Sequence, residues 1–399
     1  MLIKSMYGEA VERMLQSEEA ARRLGVKVET LYAYVSRGLL ESHPELTGRR
    51  RLFDLADIER LAKRRRGSRE VESRLATITT GVTQLRGDGP SYRGRPATEL
   101  AVDQPFEQVA EWLWQSAGEG DWSAPPLGEC PLTQTTDRMR WALVMCGATD
   151  PLRADARPES LARAARRVIA ALVDAVGRRD DTGSEVESGP DAEGTSIAER
   201  LAARLVGGRT SLSATATNAA LVLMADHELA TSTLAVRVAA SVRADIYDAL
   251  LAGLCTFAGP LHGGASQHAY ELLVAAERDG ATQALNDALR AQRHLPGFGH
   301  MVYTDGDPRF GALIRLVEPL LSEARRDLLH EIMDLADAHQ VARCNCDLAL
   351  AALSWGTGMP TDAGRTIFTI ARIAGWTAHY QEELSERPLR FRARAVYSV

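Results

Sequence analysis

Three of the nine histidines stand in settings unlike a helix face: Asp226-His227-Glu228, Leu261-His262-Gly263-Gly264 and Gly297-Phe298-Gly299-His300. Glycine beside a histidine lets backbone approach a ligand, and helix N-termini beyond such turns offer unpaired N–H groups. A satisfied structural histidine is the ordinary reading of any one of them; three with such neighbours argue for chemistry. Close behind His300 comes Asp307-Pro308-Arg309, where a rigid Asp-Pro turn can hold a guanidinium fork for a carboxylate. Asp347 opens an apolar helix in Asn345-Cys346-Asp347-Leu348. There it is either a helix N-cap or a partly desolvated carboxyl with a raised pKa, suited to a general base near neutrality. Arg372 interrupts the apolar run IFTIARIAGW and needs a partner or an anionic ligand. Arg387, Arg390, Arg392 and Arg394 make a basic tail, which reads as a solvated arm. Together these residues suit proton transfer on a small polycarboxylate. No P-loop, GxGxxG, HExxH or GxSxG occurs.

The elements that must position them are helices. From residue 135 onward, alanine- and leucine-rich segments alternate with short polar breaks, and little after residue 100 alternates with period two. The stretch before it, from Thr77, has β-branched residues and turn glycines that predict short extended pieces. Pro105 opens a helix with Val109, Trp112 and Leu113 on one side. Arg178 to Ser196, rich in Gly, Ser, Asp and Glu, reads as a mobile loop or linker.

At 399 residues, with 45% hydrophobic and 25% charged residues, the chain has material for a large core and is not mainly disordered. The net charge of −6 hides an asymmetry: residues 1–75 carry 16 Lys and Arg against 12 Asp and Glu, a net of +4, and the remainder is −10. Five cysteines, including the Cys344-x-Cys346 pair, are too few and dispersed for a disulfide framework and fit a reducing cytoplasm. With no second Cys/His pair at ligand spacing, the pair reads as buried thiols, and no metal is expected. No run reaches the ~20 apolar residues of a spanning helix.

The basic head has its own layout. Ser17 reads as an N-cap before Glu18-Glu19-Ala20-Ala21, with Leu24 on the same face and Gly25 as the stop. A second helix follows at Glu29 to Ser36, ended by Gly38, with Leu31 and Val35 inward and Leu39-Leu40 entering the core. Gly48 to Phe53 resembles a tight hairpin with a basic tip, and a last helix runs from Leu55 to Arg66. SEEAARRLGVKVETLYAYVSRGLL and RRRLFDLADIERL resemble the MerR-type or excisionase-like winged helix-turn-helix. That resemblance implies Thr30 and Tyr32 on a helix entering a major groove of duplex DNA, and Arg49, Arg50 and Arg51 on backbone or minor groove. Tyr32 stands where an arginine is common, and Glu29 puts an anion on the reading helix. Docking or oligomerisation is the other reading of this head.

DHELATSTLAVRVAAS, GPLHGGASQHAYELL, LPGFGHMVYTDGDPRF, NCDLALAALSWGTGMPTD and FTIARIAGWTAHYQEEL occur in the order found in citrate synthases, and TQLRGDGPSYRGRPATELA resembles their N-terminal segment. The resemblance covers about residues 76–399. It implies a mainly α, two-domain helical enzyme behind the small winged helix-turn-helix, and a homodimer. The boundaries it suggests are 1–68 for the head, 69–261 with 353–399 for a large domain, and 262–352 for a small one. It implies condensation of an acyl-CoA, acetyl-CoA foremost, with oxaloacetate to give citrate and CoA. The alternatives are 2-methylcitrate synthesis from propionyl-CoA, or a DNA-binding regulator with a sensor body of this kind. No resident cofactor is implied.

Residue by residue, Asp347 resembles the base that takes a methyl proton from acetyl-CoA. His262 resembles the donor to the thioester oxygen. His300 resembles the group that polarises the ketone and protonates the alkoxide. His227, Arg309 and Arg372 match the clamp on the oxaloacetate carboxylates, with Phe368 beside it and Arg392 matching an arginine lent by the partner subunit. Gly263, Gly264, Pro296, Gly297, Phe298 and Gly299 resemble CoA contacts. Met301 and Thr304 stand where many relatives carry positive charge, and Arg392-Ala393-Arg394 replaces a common Arg-Pro-Arg.

Overall fold

The computed structural model describes residues 14–36, 40–44, 51–55, 57–59, 61, 78–116, 120–179, 185–186, 194–206, 211–260, 262–291, 295–339, 342–392 and 397. The chain divides into two compact units, residues 1–79 and 80–399.

In the first unit, β1 (Met14–Gln16), α1 (Ser17–Leu24), α2 (Val28–Ser36), β2 (His43–Pro44) and β3 (Arg51–Asp54) follow in order. The sheet is antiparallel with β3 central, pairing Leu15 with Phe53 and His43 with Leu52. In α1, Glu18 and Glu19 sit in the first turn and Arg22 and Arg23 in the last, matching the helix dipole. Gly25 ends the helix at φ 63°, the left-handed conformation expected of a glycine stop. Ser17 does not cap it. Gln16 holds the N-cap position without a side-chain bond, and the Ser17 hydroxyl instead lies 2.9 Å from the Tyr32 hydroxyl. Ala20, Ala21, Leu24, Leu31, Leu40, Phe53 and Ile58 form the core, with Val35 against it. β3 pairs with β2, His43 and Pro44 against Leu52 and Arg51, and not within the 48–53 stretch read as a tight hairpin. Residues 45–50, with Arg49 and Arg50 of the expected basic tip, lie outside the described residues, as do Gly38, Leu39 and 62–66. Leu55, 57–59 and Leu61 are helical.

The second unit opens with an antiparallel sheet of β4 (Thr83–Arg86), β5 (Gly89–Tyr92) and β6 (Arg95–Pro96), the extended pieces expected there. Helices follow: α3 (Ala97–Asp103), α4 (Phe106–Trp114), α5 (Thr135–Ala148), α6 (Pro158–Ala175), α7 (Ile197–Val206), α8 (Ser211–Met224), α9 (Thr231–Ser241) and α10 (Ile246–Phe257). Then come α11 (Ala265–Asp279), α12 (Ala281–Ala291), α13 (Pro308–Val317), α14 (Glu323–Ala338), α15 (Cys346–Thr357) and α16 (Ala363–Leu384). On α4, Val109 and Leu113 are buried as expected, but Trp112 is 41% exposed. Its indole N–H reaches out to the Tyr92 carbonyl at 3.0 Å. Of the segment 178–196, Arg178–Arg179 pairs antiparallel with Glu185–Val186 and Gly194 to Ser196 lead into α7. The rest lies outside the described residues.

Helix α16 is the axis of this unit, packed by α4, α6, α8, α9, α10 and α15. Its residues from Thr369 to Tyr380 are all buried. Gly375 makes one contact possible: a Cβ there would overlap the Asp226 carboxylate and the Ala225 carbonyl. Without it the Gly375 N–H donates to Ala225 O at 3.1 Å, which pins the turn before His227 one helical turn beyond Arg372. No helix among the described residues is long and apolar enough to cross a membrane.

Candidate active site

Asp307 organises one wall. It caps α13 by accepting from the Arg309 N–H at 3.0 Å, with Pro308 in the first turn. The same carboxylate takes Arg309 Nε at 3.0 Å and Nη2 at 2.9 Å, and the Cys346 N–H at 3.0 Å. The guanidinium is 2% exposed and fixed by its own cap, as the Asp-Pro-Arg spacing suggested. Burial raises the Asp307 carboxyl, but Arg309 and these N–H donors outweigh it and hold the group below the usual carboxylate range.

Asp347 sits in the first turn of α15. The capping alternative falls to Asn345, whose side chain accepts the Asp347 N–H at 3.0 Å. The Asp347 carboxyl is therefore free of capping duty and keeps partial solvent access. Burial pushes it up to about 6, against the pull of Arg309.

The three histidines are held neutral. Burial pushes His262 down to about 4, with Arg372 adding to it. Its Nε2 lies 2.9 Å from Ser232 Oγ, and its ring meets Phe257 edge-on at 4.9 Å. Burial lowers His227 well below the ordinary imidazole range, reinforced by Arg309 and Arg372. It lowers His300 too, with Arg309 again contributing. His300 Nδ1 accepts the N–H groups of Val302 at 3.0 Å and Tyr303 at 3.3 Å. The proton of the neutral ring is then on Nε2. Arg309 Nη2 lies 3.3 Å from that nitrogen. Two donors face each other, so this is a close approach and not a bond, and the Nε2–H lacks an acceptor there.

Arg372 is 2% exposed, with its guanidinium 4.8 Å above the Phe368 ring. Its Nε and Nη1 find no hydrogen-bond partner among the described residues. Phe368 in turn packs on Phe257 at 5.0 Å, which joins the Arg372 side to His262. One electrostatic cluster thus contains Asp347, Arg309, His300, His227, Arg372 and His262.

Sequence reasoning missed Tyr303. Its hydroxyl lies 3.1 Å from His227 Nε2, and its ring stacks on His300 at 4.7 Å. Its place three residues after His300 was the available signal. The Pro296–Gly299 loop is buried at Pro296, Gly297 and Phe298, and its backbone braces the neighbouring strand. Gly297 O accepts Asn345 N–H at 3.0 Å, Gly299 N–H reaches Arg343 O at 2.7 Å, and Asn345 Nδ2 reaches Gly299 O at 2.8 Å. Gly297 has φ 83°, and a Cβ there would come within 2.9 Å of Leu348. Gly263 and Gly264 form the turn into α11, with Gly263 N–H on Phe257 O at 2.9 Å. Arg392 is exposed. The basic tail is not simply a solvated arm: Arg390 Nε binds the buried Glu383 at 2.7 Å, and Leu389 N–H donates to Ser241 O at 2.9 Å. In the other unit, Tyr32 is 43% exposed, Thr30 half-buried and Arg51 exposed, with Arg51 Nη1 on Ser42 Oγ at 3.0 Å.

A partly exposed carboxyl raised to about 6, imidazoles pushed toward the neutral form and two buried guanidinium groups suit proton transfer on an anionic substrate. Residues 127–394 match the model of the citrate synthase C-terminal domain, and 14–66 match a helix-turn-helix domain. The chain is 30% identical over 357 residues to citrate synthase 2 of Bacillus subtilis (strain 168), covering 83% of this chain and 95% of that one. It is 28% identical over 359 residues to a 2-methylcitrate synthase of Shewanella oneidensis, covering 80% and 90%. The fold matches citrate synthase from Thermotoga maritima with TM-score 0.66 at 24% identity, over 81% and 94% of the chains. A ternary complex of the Thermoplasma acidophilum enzyme with carboxymethyl coenzyme A and oxaloacetate gives TM-score 0.67 at 22% identity, over 82% and 94%. The chain belongs to the citrate synthase family, acyltransferases whose acyl group becomes an alkyl group on transfer, and carries a helix-turn-helix domain ahead of it.

Proposed function

We propose that this protein condenses an acyl-CoA, acetyl-CoA foremost, with oxaloacetate to give citrate and CoA. One observation carries the substrate reading: Arg372 is buried with two N–H positions unpaired, in the same cluster as a carboxyl raised to about 6. A buried guanidinium with open N–H positions calls for an anion, even with the Asp226 carboxylate acting on it from a distance. The Asp347 carboxylate takes a proton from the carbon beside the thioester. A weakly acidic C–H needs a donor where charge develops on the thioester oxygen. Ser232 Oγ lies 2.9 Å from His262 Nε2, and if it donates there the His262 proton sits on Nδ1 and supplies that donor. The His300 Nε2–H polarises the ketone. The new carbon–carbon bond forms as the ketone oxygen takes that proton, and water then cleaves the thioester to release CoA. Arg309, Arg372 and His227 hold the carboxylates, with Phe368 beside them.

Gly263, Gly264 and Pro296 to Gly299 are the segments we assign to CoA. Arg392, exposed and free to cross, serves a neighbouring copy in a homodimer. The large domain spans 69–261 with 353–399 and the small one 262–352, behind a head of 1–68. The free state of all five cysteines suits the cytoplasm. Propionyl-CoA in place of acetyl-CoA is the second reading of the acyl donor, supported by the likeness to 2-methylcitrate synthases. The deciding experiment is CoA release with oxaloacetate and each acyl-CoA, for wild type and Asp347→Asn. Turnover with neither donor, or an unaltered rate in the variant, would refute the assignment. The head supports duplex-DNA binding through its match to a helix-turn-helix model. It predicts salt-dependent binding that weakens when Arg49, Arg50 and Arg51 are neutralised.

A further inference from the structure

Tyr303 touches both imidazoles of the ketone side of the site. Its backbone N–H reaches His300 Nδ1 at 3.3 Å and its ring stacks on the same histidine at 4.7 Å. Its hydroxyl lies 3.1 Å from His227 Nε2, and the two rings meet edge-on at 5.5 Å. The Arg309 guanidinium stands 5.7 Å from the phenol ring. With the ring proton of His227 on Nδ1, Nε2 is an acceptor and the Tyr303 hydroxyl, 3.1 Å away, donates to it.

This arrangement is mismatched to an anion. A carboxylate only accepts, so it can bind His227 Nε2 only if that nitrogen carries a proton. The same nitrogen already faces the Tyr303 hydroxyl at 3.1 Å. The Tyr303 hydroxyl and a substrate carboxylate therefore compete for one ring atom, while Arg372 waits with unpaired Nε and Nη1.

We propose that Tyr303 is a positioning residue that fills the substrate's place on His227 until an oxo-dicarboxylate displaces its hydroxyl. The inference rests on the proposed oxaloacetate reading of the site. Displacement frees Nε2, and a shift of the ring proton from Nδ1 to Nε2 turns His227 from acceptor to donor. Throughout, the backbone N–H of Tyr303 holds His300 with its Nε2–H outward. One residue thus keeps the ketone donor aligned and makes the carboxylate contact conditional on ligand.

The test is oxaloacetate binding to the full-length protein by calorimetry, without acyl donor, for wild type, Tyr303→Phe and Tyr303→Leu. Removing the competing hydroxyl tightens binding about three- to tenfold, the range set by a net hydrogen bond of ~1 kcal/mol. In turnover, KM for oxaloacetate falls with Kd in both variants, and kcat falls more in Tyr303→Leu, which also removes the ring stack on His300. An ultraviolet tyrosine difference signal appears on oxaloacetate binding to wild type and vanishes in Tyr303→Phe. Unchanged or weaker binding in a variant that melts like wild type overturns the proposal and leaves the substrate reading standing. No oxaloacetate binding by wild type overturns both.

Discussion

Two buried arginines lie beside α16 and have opposite surroundings. Arg237 is wholly buried near its C-terminal end. Its Nε binds Glu383 at 2.9 Å, and its Nη1 binds Glu382 at 2.6 Å and His379 Nδ1 at 2.9 Å. His379 carries the link on to Asp226 at 3.3 Å, and Glu383 also holds Arg390. Only Nη2 of Arg237 lacks a partner. Arg372, in the middle of α16 itself, is buried to nearly the same degree and has two such positions, with no carboxylate hydrogen-bonded to it among the described residues. Burial is equal, so desolvation does not separate the two. Compensation does. A buried cation saturated by carboxylates is architecture, and one left open needs a ligand from outside.

The comparison breaks first at Glu383. Glu383→Gln leaves Arg237 with a weakened buried partner and costs about 3–5 kcal/mol of stability. Denaturant unfolding reads it, with KM for oxaloacetate within about twofold of wild type in the folded fraction. Arg372→Met does the reverse. It lowers kcat/KM several hundredfold, about 3.5 kcal/mol of transition-state binding, while the melting temperature holds or rises because an open buried charge is gone. A large loss of stability here would erase the distinction.

The smallest effect concerns Asp347. Its carboxyl is raised in the folded state to about 6, so the folded protein favours the protonated form. That stabilising preference is full below about 4 and is lost as pH rises through 6. Asp347→Asn is therefore up to about 3 kcal/mol more stable than wild type at pH 8, and the gain disappears near pH 4. In wild type kcat rises with pH through about 6 and levels off, since His262 is already neutral above about 4. A rate that falls across that window would contradict the base assignment.

Residues whose role follows from their immediate neighbours were legible in sequence. Asp307-Pro308-Arg309 is a cap and a fork within three residues, and Gly25 closes α1 by its own φ. The ordered motifs carried the fold. Long-range partnerships were not legible. Ser17 looks like an N-cap, yet its hydroxyl sits beside Tyr32, brought there by tertiary packing. Tyr303 meets His227 across 76 residues, and Arg237 meets Glu383 across 146. Such pairs carry no local periodicity or spacing. Arg390 read as a free arm for the same reason, because its anchor Glu383 is on a helix that looks complete without it.

The tie between the 297–299 loop and Asn345 has a mechanical meaning. His300, Arg309 and Asp347 hang from one braced frame, through Asn345, Gly297, Gly299 and the Asp307 carboxylate. Arg372, Phe368 and His379 hang from the long helix instead. On the proposed reading, the ketone donor and the carbon base therefore share one hydrogen-bonded frame, while the open guanidinium belongs to a different support.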